Sequence, residues 1–310
     1  MAPVLNPQII MLDEIMESLD DAKEVLPDSK VSVWIKDKDL IRASTDITLM
    51  KEINPGIYTV GYNKNIGFFC SKINVKSDEL FLFSDSITNK LLSEIKLFWE
   101  KADLYRENNL IHKRGILLEG YPGTGKSSII SILSSEIIKQ GGVVFKVNGD
   151  RNLGDYIEFI RTSFRKIQPD TPIITILEDL DMYEDVEEEL LDFLDGKTHL
   201  DHHVVIATTN NTESIPDTYL RPSRIDLKFE IPLPTSKIRS EYFKYKKVPE
   251  NNLKELVDKS EGCSLADLKE LYICIYLLNY TIDEAISKIK SPREKKCFLD
   301  SPQAKSRLGF

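Results

Sequence analysis

Residues Gly120-Tyr121-Pro122-Gly123-Thr124-Gly125-Lys126-Ser127 constrain this chain more than any other stretch. They satisfy the pattern G-x-x-x-x-G-K-[ST] at every fixed position. An apolar run, Gly115-Ile116-Leu117-Leu118, leads in, and the helical pattern Ile129, Ile130, Ile132, Leu133, Ile137, Ile138 follows. Glycines let backbone N–H groups curl until they converge on phosphate oxygens, and the helix that starts there adds its positive dipole end. Lys126 is placed to meet β- and γ-phosphates, and the Ser127 hydroxyl to ligate Mg²⁺. A glycine-rich turn that merely caps a helix is the alternative. With strand and helix both in place, a nucleotide site is expected.

At 310 residues the chain exceeds one ordinary domain, so two or three packed units are expected. A net charge of −9 argues against broad nucleic-acid coating, which needs a positive surface. Cys70, Cys263, Cys274 and Cys297 show no C-x-x-C spacing, which fits idle thiols in a reducing compartment better than a metal site. No run approaches the 18 or so apolar residues of a membrane span, and residues 1–6 lack the pattern of a secretion signal. A cytoplasmic protein without membrane association is the expectation.

In chain order, residues 5–25 carry apolar positions at helical spacing, closed by Pro27. Short β-branched and aromatic runs follow at 31–35, 57–62, 67–70 and 80–83, separated by turn residues. They suggest a small, mostly β N-terminal module over 1–84. Residues 86–109 read as one helix with Ile87, Leu91, Leu92, Ile95, Phe98, Trp99 and Ala102 on its apolar face. Strands are expected at 115–118, 143–147, 173–177, 204–207 and 227–231, alternating with helices. That alternation predicts an α/β fold with a parallel sheet over 85–234. Past Pro234 the pattern is helical, with capping boxes at Ser264–Asp267 and Thr281–Glu284, giving a small helical domain over 235–290. Residues 291–310 form a basic tail.

A phosphate loop needs a second acidic site to hold Mg²⁺ and position the attacking water. The run Ile173-Ile174-Thr175-Ile176-Leu177-Glu178-Asp179 delivers two carboxylates at a strand end. Neighbours on a strand point to opposite sides and so can take different roles. A second strand ends in Thr208-Thr209-Asn210, whose amide could orient the water. Two arginines flank a proline in Arg221-Pro222-Ser223-Arg224.

Together, Gly120–Ser127, Leu177–Asp181, Ala207–Asn210, Arg221–Arg224 and Gly262–Leu268 resemble the AAA ATPases in order and spacing, over roughly 86–289. The Glu-Asp order and residues 190–196 look most like the branch holding the mitochondrial Rieske-protein translocase, though the membrane anchor of that protein is not expected here. The resemblance implies a P-loop AAA+ core with a parallel sheet flanked by helices, a small all-α lid and ATP with Mg²⁺ as cofactors. Gly120, Tyr121, Pro122, Gly123, Thr124, Gly125, Lys126, Ser127 and Ser128 would form the Walker A loop. Glu178 would join Ser127 on the metal side and Asp179 would activate water, one methylene shorter than the family's usual Glu. Asn210 matches sensor 1. Arg221 and Arg224 match arginine fingers that reach the γ-phosphate of a neighbouring subunit, which implies a homo-oligomeric ring of six.

The family's pore segment usually carries an aromatic gripping motif, and residues 148–156 show no clean one. Remodelling, assembly or disassembly of a folded protein partner is therefore preferred to threading. From Glu178 to Asp195 there are ten acids and no base, so a lumen lined by them would repel nucleic acid. Two other readings remain: a nucleotide-gated oligomeric scaffold with little turnover, and a DNA-acting loader.

Overall fold

The computed structural model describes residues 31–37, 40–47, 52–64, 67–73, 87–147, 149, 153–195, 201–211 and 215–290. The chain divides into two units, Met1–Ile53 and Asn54–Phe310. In the first, β1 (Val31–Asp37) and β2 (Leu40–Ile47) pair antiparallel, with a register shift between Val31 and Val33.

The second unit is built on β3 (Gly56–Asn63), β4 (Gly67–Lys72), β5 (Lys113–Glu119), β6 (Val143–Val147), β7 (Ile173–Leu177), β8 (His203–Thr209) and β9 (Leu227–Glu230). They form one sheet in the order β4-β3-β6-β7-β8-β5-β9. Only the β3–β4 pair is antiparallel. β7 and β8 are buried along their whole length, as strands covered on both faces must be.

The hairpin β3–β4 corrects one expectation. Its residues fall in the segment expected to be a separate module ending at residue 84, yet Gly56, Ile57 and Tyr58 pair in parallel with Val143, Val144 and Phe145. Tyr58 and Val60 are buried, and the Tyr58 ring lies 6.4 Å from that of Phe145. Pairing there covers the open N–H and C=O groups of β6, which an unpaired edge would expose. The division therefore falls after Ile53. The helical pattern at 5–25, the strand candidate at 80–83 and the basic tail lie outside the described residues.

The helix expected over 86–109 is two: α1 (Ile87–Glu100) and α2 (Ala102–Glu107), broken at Lys101 with φ −103° and ψ 12°. Leu91, Ile95 and Phe98 of α1 join Ile116, Leu118, Ile129 and Leu133 in the main core. Each such side chain contributes about 1.5–3 kcal/mol by leaving water. α3 (Lys126–Lys139) follows the phosphate loop, α4 (Leu153–Phe159) follows β6, and α5 (Glu187–Leu194) follows β7.

Beyond Pro234 come α6 (Ser236–Tyr245), α7 (Glu250–Lys259), α8 (Leu265–Tyr272) and α9 (282–290). They enclose their own core of Phe243, Leu256, Leu268, Leu271 and Ala285, in which Cys263 and Cys274 are buried and form no disulfide. Both expected capping boxes form: Asp267 accepts from Ser264 N–H at 2.7 Å, and Glu284 from Thr281 N–H at 2.9 Å. No helix among the described residues is long and apolar enough to cross a membrane.

Candidate nucleotide-binding site

Strand order assembles the site. β5 lies between β8 and β9, and β8 lies between β7 and β5. In register, Glu119 faces Thr209 and Leu177 faces Ala207. Parallel strands end on one side, so Gly120, Glu178 and Asn210 emerge together at the point where the strand order reverses.

Gly123 and Gly125 have φ of 80° and 102°, a region that side chains disfavour. A Cβ on Gly123 would also stand 2.8 Å from Ser264 Oγ and 2.9 Å from Ala266 Cβ. The loop is thus packed on the start of α8, where Ala266 N–H donates to the Gly123 carbonyl at 3.1 Å. Thr124 Oγ1 donates to the Tyr121 carbonyl at 2.8 Å and closes the turn from within. Tyr121 and Pro122 are exposed.

The Lys126 ammonium donates to the Gly120 carbonyl at 2.6 Å, the Tyr121 carbonyl at 3.2 Å and Asn210 Oδ1 at 2.7 Å. Asn210 Nδ2 in turn donates to Asp179 Oδ1 at 3.2 Å. One hydrogen-bonded chain, Lys126–Asn210–Asp179, therefore joins the three strand ends. Lys126 is 8% exposed, and burial lowers its pKa, opposed by the Asp179 charge. An anion beside this lysine would relieve that cost. Ser127 and Ser128 are exposed, and neither hydroxyl has a protein partner among the described residues. A buried ammonium, a glycine cradle and a free hydroxyl fit a nucleoside triphosphate carrying Mg²⁺.

The two acids diverge. Asp179 has φ 51° and ψ 73°, and its N–H is held by Thr208 Oγ1 at 3.0 Å. Its carboxylate thereby turns to Asn210. Glu178 instead pairs with Lys146 of β6 at 2.5 Å, and it has no hydrogen bond to Ser127.

The two arginines differ as well. Arg224 makes a two-point contact with Asp195, at 2.5 and 2.8 Å, and donates to the Thr218 carbonyl at 2.7 Å. Arg221 is exposed, with no side-chain partner among the described residues. Their loop is fixed to β5: Lys113 Nζ donates to the Ser223 carbonyl at 2.6 Å, and a Cβ on Gly115 would meet the Arg224 carbonyl at 1.8 Å.

Sequence reasoning missed the roles of Lys146, Thr208 and Asp195. A lysine in the apolar run Val143-Val144-Phe145-Lys146-Val147 was a usable signal for the first. Of residues 148–156, Tyr156 is 1% exposed and shares a hydrogen bond with Thr175 Oγ1, so it is a core residue.

A phosphate loop at the reversal point of a mostly parallel sheet, with acids and an amide on adjacent strand ends, defines a P-loop nucleotide-binding protein. Residues 116–233 match the model of the ATPase family associated with various cellular activities (AAA). Among its relatives is a cell division cycle protein 48 homolog of Archaeoglobus fulgidus, 32% identical over 58% of this chain and 27% of that protein. Another is a proteasome-activating nucleotidase of Saccharolobus islandicus, 28% identical over 76% of this chain and 63% of that protein. A third is the ATPase family gene 2 protein of Schizosaccharomyces pombe, 29% identical over 56% of this chain and 24% of that protein. The chain thus spans less than two thirds of the length of these relatives.

Proposed function

We propose that the protein hydrolyses ATP as one subunit of a homo-oligomeric ring of six and uses turnover to remodel, assemble or disassemble a protein partner in the cytoplasm. The observation that carries this reading is the Lys126–Asn210–Asp179 chain beneath the phosphate loop. Bound Mg²⁺ would supply charge neutralisation at the β- and γ-phosphates, with Ser127 as its ligand and Glu178 as the second acid. Asp179 takes the proton of the attacking water as the γ-phosphorus–oxygen bond to ADP breaks, and Asn210 orients that water. Arg221 and Arg224 reach across to the next subunit, where such cations are worth about 10³–10⁵ in rate.

A protein partner is supported by the exposed acids at Glu187, Glu188 and Glu189, which oppose nucleic acid, and by the proteasome-activating relative. The branch of the Rieske-protein translocase is supported by the Glu178-Asp179 order. The four-part division into 1–84, 85–234, 235–290 and 291–310 is kept for the lid and tail, with the hairpin moved to the core.

The test is a pair of variants. Lys126→Ala should weaken ATP binding about 10³-fold, whereas Arg221→Ala should spare binding and stop turnover. Brisk turnover by a single-copy protein in saturating ATP and Mg²⁺ overturns the ring. The scaffold reading is favoured by two ion pairs, Lys146 with Glu178 and Arg224 with Asp195. Binding and assembly without sustained phosphate release would establish it.

A further inference from the structure

β6 carries one polar side chain, and it is aimed at the site. Lys146 is the only residue of the strand that is not buried. Register sets it opposite Ile176, so Glu178, two residues on, shares its face of the sheet. The Lys146–Glu178 pair follows, at 2.5 Å, with each side chain 33% exposed. Asp179, next in sequence, is turned the other way by its left-handed backbone and by the Thr208 hydroxyl. The result is that one acid of the two faces Asn210 and Lys126, while the other already holds a cation of the protein's own.

We propose that Lys146 is a positioning residue that competes with Mg²⁺ for Glu178. This inference rests on the ATP site proposed above. An ammonium seated on Glu178 Oε2 and a divalent cation drawn to the same oxygen exclude each other, so breaking the ion pair is part of admitting metal. Lys146 thereby sets how much Mg²⁺ the nucleotide site requires. It also keeps Glu178 from repelling Asp179 when no metal is present, since two unneutralised neighbouring carboxylates disfavour each other.

The experiment is equilibrium binding of a non-hydrolysable fluorescent ATP analogue to the full chain, titrated with Mg²⁺. Lys146→Met should lower the Mg²⁺ midpoint about two- to fivefold, the range a part-exposed ion pair supports. Lys146→Arg, which keeps the charge, should stay near the parent value. In a Glu178→Gln background the Met substitution should change nothing, because its partner is gone. If Lys146→Met fails to fold, Lys146→Gln carries the same expectation. A folded Lys146→Met or Lys146→Gln with an unchanged midpoint overturns the proposal, as does an equal shift in the Glu178→Gln background. Retained analogue binding by Lys126→Ala would instead break the ATP reading itself, so the two failures are distinguishable.

Discussion

The sheet of the second unit has polar groups at both ends of its strands, and the two ends treat them in opposite ways. At the phosphate-loop end, Ser127, Asp179, Asn210 and Arg221 are exposed, and of the four only Asn210 and Asp179 share a hydrogen bond. At the far end, His112 is 2% exposed, stacks on Phe98 at 3.9 Å and donates from Nε2 to the Phe98 carbonyl at 2.8 Å. That bond leaves His112 Nδ1 to accept from His202 Nδ1 at 3.2 Å. Arg165 donates to the carbonyls of Pro169, Thr171, Asp201 and His202. Solvent-facing groups can exchange water for a ligand, whereas buried groups committed to fixed carbonyls can only lose by a change. Lys126, buried and yet at the open end, stands between the two cases: it donates to the Gly120 and Tyr121 carbonyls and still borders the exposed Ser127.

Substitutions at each end can break or sharpen this contrast. The largest effect is expected of Lys126→Ala, which should weaken ATP binding about 10³-fold through lost charge-assisted bonds, with little change in melting temperature. Isothermal titration and thermal melts check the two halves. Arg165→Met should do the reverse: a loss of about 3 kcal/mol in urea unfolding, from four carbonyls left without their donor, with nucleotide affinity unchanged.

Third comes pH. Burial lowers the pKa of His112 and takes that of His203 well below the usual histidine value. Both rings therefore stay neutral in the fold while the unfolded chain takes up protons near pH 6.5. Their contribution is complete above that value and is lost as pH falls below it, at up to about 1.4 kcal/mol per pH unit for each ring. Urea unfolding at pH 7.5, 6.5 and 5.5 should show the decline, and His112→Gln should flatten it. The smallest effect is expected of Asp267→Ala, which opens the α8 capping box at a cost of about 1 kcal/mol in unfolding experiments.

Much of the core was legible because the physics is local. β7 and β8 are covered on both faces, so they read as unbroken apolar runs, Ile173–Leu177 and Val204–Ala207. The phosphate loop declared itself through glycines that only its geometry requires. The unread features depend on which strands become neighbours. Nothing near Gly56 announces pairing with β6, and nothing near Lys146 or Asp195 announces Glu178 or Arg224. The break at Lys101 carries no Gly or Pro to mark it. Asp179 shows a related gap, since its left-handed backbone rests on a hydroxyl 29 residues downstream.

The bond from Ala266 N–H to the Gly123 carbonyl is made of main-chain atoms alone. Among the natural amino acids, only proline at 266 would delete its donor. Any swing of α8 must therefore either snap this link or pull the loop along at a residue with no side chain to resist. Helical domain and phosphate cradle are mechanically joined through the peptide backbone, and sequence drift at neighbouring positions leaves that joint intact.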